Sequence, residues 1–283
     1  MKTISLPSGV DIPILGYGTF QITDPEEAEN SVISAIQAGY RHIDTAQSYM
    51  NEEAVGRGIK NSGVSRKDIF LTTKIWVENT TYNGVLTSFE ESLERLDMDY
   101  VDLLLLHQPY NDTFGAWRAM EELLEQGKVR AIGVSNFSAD QVVNLATFNE
   151  ISPQINQIEV NPFHQQSEYI DLLKEEGIVP EVWAPFAEGM NNIFENEVLE
   201  KIAQKHNKSV AQVILRWLVE QDIVVLAKSV HPERMEENLA IFDFSLDDDD
   251  KKQIKALDQE TSQFFNHKDP EIIKNMATRK LDY

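Results

Sequence analysis

Asp44, Tyr49, Lys74 and His107 are reactive side chains that stand at the ends of short apolar runs or in the loop just behind one. A tyrosine hydroxyl, with an ordinary pKa of about 10, is a poor acid at neutral pH unless its anion is stabilised. A lysine ammonium close by supplies that stabilisation and lowers the pKa. An aspartate would keep the lysine charged and oriented, and a histidine could donate to a carbonyl oxygen. Such a set is equipped to protonate an oxygen as hydride arrives at the neighbouring carbon. Taken singly, each residue has an ordinary structural use: the aspartate as a helix cap, the lysine as a solvated charge, the histidine or tyrosine as part of a core rim.

These positions belong to a larger pattern. Apolar runs at 14–16, 40–43, 69–72, 101–106, 129–134, 155–160, 178–183 and 223–227 alternate with amphipathic helical stretches. Asp44 closes the second run, Lys74 the third, His107 the fourth and Trp183 the seventh. Short apolar runs separated by helices indicate parallel strands covered on both faces. The helices are well punctuated. Asp24-Pro25-Glu26-Glu27 reads as a cap, a proline at the first helical position and an acidic turn, and Gly39 ends that helix. Ser138 and Ser209 stand at other helix starts, Gly127 and Gly177 at helix ends.

Segment 3–14 carries a turn at Pro7-Ser8-Gly9 and reads as a hairpin. Stretches 197–206 and 209–220 place one helix more than the repeat requires between the last two runs, and 247–257 reads as a second extra helix. The expectation is a single (β/α)8 TIM barrel domain over 1–283, with an N-terminal β-hairpin and two extra helices. A doubly wound sheet is the structural rival. In a barrel, reactive groups gather from the carboxyl ends of different strands.

The chain has 283 residues, with 25 Lys+Arg against 47 Asp+Glu and a formal net charge of −22. That balance argues against a broad nucleic-acid or anionic-membrane surface. There is no cysteine, which removes disulfides, thiolate metal sites and thiol nucleophiles, and fits a cytoplasmic protein. The opening residues are too polar for an apolar leader, and no apolar run approaches the roughly 20 residues of a bilayer span. His42 and Asp44 flank Ile43 at a spacing some metal-dependent barrels use, but no second ligand pair accompanies them, so no metal is expected. Gly16-Tyr17-Gly18 suggests a dinucleotide fingerprint, yet Gln21 stands where its third glycine belongs.

The run Asp44-Thr45-Ala46-Gln47-Ser48-Tyr49-Met50-Asn51-Glu52 resembles the DTAxxYxNE signature of the aldo-keto reductases. Segments 71–76, 102–109, 133–137, 157–162 and 228–238 are similar to further segments of that family, in the same order along the chain. The resemblance implies a catalytic tetrad of Asp44, Tyr49, Lys74 and His107, with Tyr49 as general acid. It implies a nicotinamide held at the barrel mouth by Ser135, Asn136 and Gln157, stacked on Trp183, with Thr19 nearby. Lys228, Ser229, Val230, Arg234, Glu237 and Asn238 would surround the adenosine end, and Phe20, Trp76, His107 and Gln108 would line the carbonyl site. Gln108 replaces a residue that is often tryptophan in the family, which makes that wall smaller and more polar.

The implied activity is NADPH-dependent reduction of aldehydes and ketones, including diketo sugar acids or α-dicarbonyls. The preference for NADPH over NADH is expected from Lys228, Ser229 and Arg234, two cations and a hydroxyl suited to a 2′-phosphate. The expected partner is a small carbonyl compound, with no nucleic acid and no membrane, and the expected state is a monomer. A nucleotide-binding regulatory or redox-sensing subunit of the same fold is the alternative from another class.

Overall fold

A computed structural model describes residues 2–283. Strands β1 (Thr3–Ser5) and β2 (Asp11–Pro13) form an antiparallel hairpin ahead of the repeat. The barrel strands are β3 (Leu15–Gly18), β4 (His42–Asp44), β5 (Phe70–Ile75), β6 (Val101–Leu106), β7 (Val129–Ser135), β8 (Ile155–Glu159), β9 (Val179–Trp183) and β10 (Val224–Ala227). They pair in parallel in sequence order, and β10 closes on β3. The (β/α)8 barrel expected from the alternation is the observed fold.

Six helices follow the first six barrel strands. They are α1 (Pro25–Ala38), α2 (Glu52–Asn61), α3 (Tyr82–Leu96), α4 (Thr113–Glu125), α5 (Ala139–Thr147) and α6 (Ser167–Glu175). Two helices, α7 (Glu197–His206) and α8 (Val210–Val219), separate β9 from β10. After β10 come α9 (Pro232–Leu239), α10 (Asp248–Lys255) and α11 (Pro270–Thr278). Local chemistry sets their ends. The Asp24 carboxylate accepts from Glu27 N ahead of Pro25, and Gly39 closes α1 at φ 121°, a conformation side chains resist. Ser209 and Gln212 exchange side-chain and backbone hydrogen bonds at the start of α8.

Side chains alternate along a strand, so residues 42 and 44, 70, 72 and 74, 103 and 105, 155 and 157, and 181 share the inward face. At the amino-terminal end of the barrel that face is apolar. Phe70, Leu103, Leu105, Ala131, Ile155 and Val224 pack with Leu6 and Ile12 of the hairpin, which plugs the bottom. One layer higher the interior turns polar, with His42, Asp44, Thr72, Lys74, Gln157 and Glu181 all buried. Gly16 makes this layer possible on its side, because a Cβ there would sit 2.5 Å from His42 Nδ1.

Helix α11 and the residues after it were not marked by any clear pattern in the sequence. The segment from Ser262 to the end, helix α11 included, returns across the barrel mouth. Ser262 Oγ donates to Glu159 (2.6 Å), Tyr110 OH donates to the His267 carbonyl (2.7 Å), and Trp76 Nε1 donates to the Arg279 carbonyl (3.0 Å). The structure thus adds a wall to the mouth that the strand-helix repeat does not predict.

Candidate active site

The centre of the site is Lys74 Nζ, which is wholly buried. It donates to Asp44 Oδ1 at 2.6 Å, the Thr45 carbonyl at 3.0 Å and the Tyr49 hydroxyl at 3.1 Å. An ammonium has three donors, and all three are used here. Asp44 and Lys74 reach one another because β4 and β5 pair with Asp44 beside Thr72, which sets Lys74 one inward position higher. Tyr49 comes from a short 3-10 turn, Gln47–Tyr49, directly behind β4.

That turn is tied down from several sides. Gln47 Oε1 accepts from Trp76 N (2.9 Å), and its Nε2 donates to the Ser88 carbonyl and Ser92 Oγ (both 3.1 Å). Asn51 Nδ2 donates to the carbonyls of Thr19 (2.9 Å) and Ile22 (3.1 Å), and its Oδ1 accepts from Thr45 Oγ1 (2.8 Å). Glu52, fully buried, accepts from Thr73 Oγ1 (2.6 Å) and Arg95 Nε (2.8 Å). From the tail, Arg279 Nη2 donates to the Ser48 carbonyl at 2.9 Å, and the Tyr283 hydroxyl donates to that of Gln47. Every one of these bonds constrains where the Tyr49 hydroxyl stands.

The electrostatics follow from burial and one cation. Burial pushes the Tyr49 hydroxyl up and the Lys74 ammonium offsets this only in part, so the phenol stands above its ordinary value and not below it as the sequence suggests. Burial acts to lower the Lys74 pKa, but Asp44 and Tyr49 outweigh it and hold the ammonium charged. Burial and the same ammonium keep His107 well below the usual imidazole range, so its ring is neutral. His107 Nδ1 lies 3.2 Å from Ser48 Oγ, and its ring centroid is 5.7 Å from that of Tyr49. A hydroxyl proton given by Ser48 to Nδ1 leaves the remaining proton on Nε2, where it can be donated. Ser48 is a site residue that sequence reasoning missed; its only signal was its place beside Tyr49.

Of the residues expected at the carbonyl site, Phe20 is 45% exposed with its ring 5.0 Å from that of Tyr49, and Trp76 stands 5.4 Å from His107. Gln108 is buried, and its Oε1 has no partner among the described residues. The residues expected around a nicotinamide form one network. Trp183 Nε1 donates to Asn136 Oδ1 (2.9 Å), Asn136 Nδ2 donates to Ser135 Oγ and the His107 carbonyl (3.1 Å each), and Ser135 Oγ donates to the Gln157 carbonyl (2.9 Å). Gln157 Nε2 gives its two hydrogens to Asp44 Oδ2 (3.0 Å) and Glu181 Oε2 (3.1 Å). Phe264 of the tail packs at 5.2 Å against Trp183.

Thr19 is buried, with its hydroxyl donated to the Asp44 carbonyl at 3.0 Å. Ser229 is likewise engaged: its carbonyl accepts from Tyr17 OH (2.7 Å) and its hydroxyl accepts from His231 N (3.1 Å). Lys228 and Arg234 are exposed and form no ion pair among the described residues. They flank the start of α9, together with half-buried Val230 and Glu237 and buried Asn238.

The aldo/keto reductase family model matches residues 14–259. The chain belongs to this family. It is 48% identical over 259 residues to the glyoxal reductase of Bacillus subtilis, a match covering 91% of this chain and 93% of that protein. Among solved structures it is similar to an aldo/keto reductase from Brucella melitensis, at 44% identity and a TM-score of 0.87, covering 91% of this chain and 99% of that one. It is also similar to a Bombyx mori aldo-keto reductase in complex with NADP, at 32% identity and a TM-score of 0.89, with 97% of both chains covered. The family named from the motifs in the sequence is therefore the family of the chain, and it makes the protein an oxidoreductase.

Proposed function

We propose that this aldo-keto reductase reduces small aldehydes and ketones with NADPH, Tyr49 giving the proton. The observation that carries the reading is the Lys74 ammonium, 3.1 Å from the Tyr49 hydroxyl and held in place by Asp44 at 2.6 Å. Similarity to a protein named glyoxal reductase supports small aldehydes and α-dicarbonyls as the substrate class of this chain. When bound, the nicotinamide supplies hydride to the carbonyl carbon. The protein's own residues then manage the oxygen. Neutral His107 orients it from Nε2, Tyr49 releases its proton to it, and Lys74 stabilises the phenolate left behind. Asp44 keeps Lys74 charged throughout.

The residues present fit a dinucleotide phosphate. Gln157 Oε1 receives no hydrogen bond among the described residues, so it is free to accept from the carboxamide NH2. Lys228 and Arg234 carry free charge beside the N-terminus of α9, where a phosphate is favoured. A single domain over 1–283, acting as a monomer in the cytoplasm, completes the reading. The test is loss of NADPH absorbance with a panel of aldehydes, α-ketoesters and diketones, run beside Tyr49→Phe. A panel that binds no carbonyl and turns over none, on protein that still binds NADPH, would favour the regulatory-subunit alternative.

A further inference from the structure

Beneath the Lys74 hub the barrel encloses a second carboxyl group that the reaction as described does not use. Glu181 lies on β9, inward and wholly buried, beside its register partner Gln157 on β8. Its Oε2 accepts from Gln157 Nε2 at 3.1 Å, and its Oε1 has no hydrogen-bond partner among the described residues. The same Gln157 nitrogen donates to Asp44 Oδ2, so one amide joins the two carboxyl groups.

The charge count is what matters. From β4, His42 and Asp44 face Glu181; from β5, Lys74; from the turn behind β4, Tyr49. Strand β8 offers Gln157, and β10 on the other side carries no titratable residue. His42 Nε2 is 3.7 Å from Glu181 Oε1 and 3.0 Å from Thr72 Oγ1. Burial and the Lys74 charge push its imidazole down to about 3, so it is neutral and gives Glu181 no counter-charge. The layer therefore holds one cation and two carboxyl groups, and the cation is spent on Asp44 at 2.6 Å. An unpaired buried carboxylate is costly, and a buried carboxyl in that position keeps its proton instead.

We propose that Glu181 is a positioning residue that stores a proton under the Asp44–Lys74–Tyr49 chain, and that its ionisation, relayed through Gln157, weakens proton donation by Tyr49. The inference rests on the reading of Tyr49 as proton donor. Burial, with Asp44 adding to it, pushes Glu181 up to about 8, and a charged Glu181 would raise Tyr49 further. A second negative charge opposes formation of the phenolate as the proton leaves.

Two measurements decide it. Infrared difference spectra of the wild type, titrated from about pH 6.5 to 9.5, should show the carbonyl stretch of a protonated carboxylic acid that disappears as pH rises. The band should be absent from Glu181→Gln. This readout needs neither substrate nor turnover. In parallel, kcat for reduction of a small aldehyde should fall by about threefold or more across this range in the wild type, with an inflection near pH 8 that Glu181→Gln lacks. No protonated-acid band in the wild type, or a band that survives in Glu181→Gln, would overturn the stored proton. An inflection that persists unchanged in Glu181→Gln, or none in the wild type, would overturn the link to Tyr49. Should the band behave as expected while no carbonyl is reduced, the reaction assignment falls and the stored proton stands.

Discussion

Replacing Lys74 by methionine removes the cation that touches the Tyr49 hydroxyl and keeps most of the length of the side chain. At 3.1 Å from the Tyr49 hydroxyl, and with an effective dielectric of about 20, an ammonium stabilises a phenolate by about 5 kcal/mol. That is about 4 pKa units. If about half of the phenolate charge has formed in the transition state, the barrier rises by about 2.7 kcal/mol and kcat falls about 100-fold. The loss should lie in kcat, because Lys74 is buried below the mouth and all three of its donors point into the protein. A second consequence concerns stability. Asp44 is left as an unpaired buried carboxylate, a change worth about 3–5 kcal/mol when one partner of a buried pair is removed. Asp44 in this variant takes up a proton in the fold at a pH above its unfolded value. The stability deficit should therefore be smallest below the unfolded carboxylate pKa and grow as pH rises through neutrality. The assays are steady-state NADPH oxidation with saturating aldehyde, NADPH binding followed by tryptophan fluorescence, and urea unfolding at about pH 5 and 8. A folded Lys74→Met protein with kcat within fivefold of wild type would refute the reasoning, since among the described residues no other ammonium hydrogen-bonds to Tyr49.

Tyr49→Phe should lose roughly 10²–10⁴ in rate and retain NADPH binding; full activity in a folded variant would exclude the hydroxyl as donor. Asp44→Asn should be slower than wild type but faster than Lys74→Met, because the ammonium still has the Thr45 carbonyl at 3.0 Å; the reverse order would show that Asp44 acts more directly than through Lys74. Arg234→Ala should weaken NADPH by about 1.5–3 kcal/mol and leave NADH nearly untouched, and equal losses with both cofactors would show that Arg234 does not read the phosphate. Gln108→Trp should narrow the carbonyl site and change discrimination among substrates by about 1–3 kcal/mol; an unchanged profile across the aldehyde panel would mean that the side chain points away from the pocket.

Period and spacing in the sequence were enough for the barrel, its hairpin and the strand ends that carry Asp44, Lys74 and His107. Those features depend on local rules: alternation within a strand, apolar stripes on a helix, caps such as Asp24 and Ser209. The motif around Tyr49 was legible because its residues are consecutive. The roles of Asn51 and Glu52 within it were not, because their partners, Thr19, Ile22, Thr73 and Arg95, lie on other elements. Ser48 became meaningful only when the fold set it 3.2 Å from His107, 59 residues further along the chain. The tail beyond Leu257 continues no strand-helix repeat, and its hydrogen bonds to the Tyr49 turn depend on a path across the mouth that no local pattern encodes. Glu181 is the clearest case. In the sequence it is a single acidic residue between Pro180 and Val182 in an apolar run. Closure of the barrel brings β8 and β4 to bear on β9 and places its carboxyl two hydrogen bonds from Asp44, through Gln157. Whether such a group is a charge or a stored proton depends on how many cations share its enclosure, and only the tertiary structure draws that boundary.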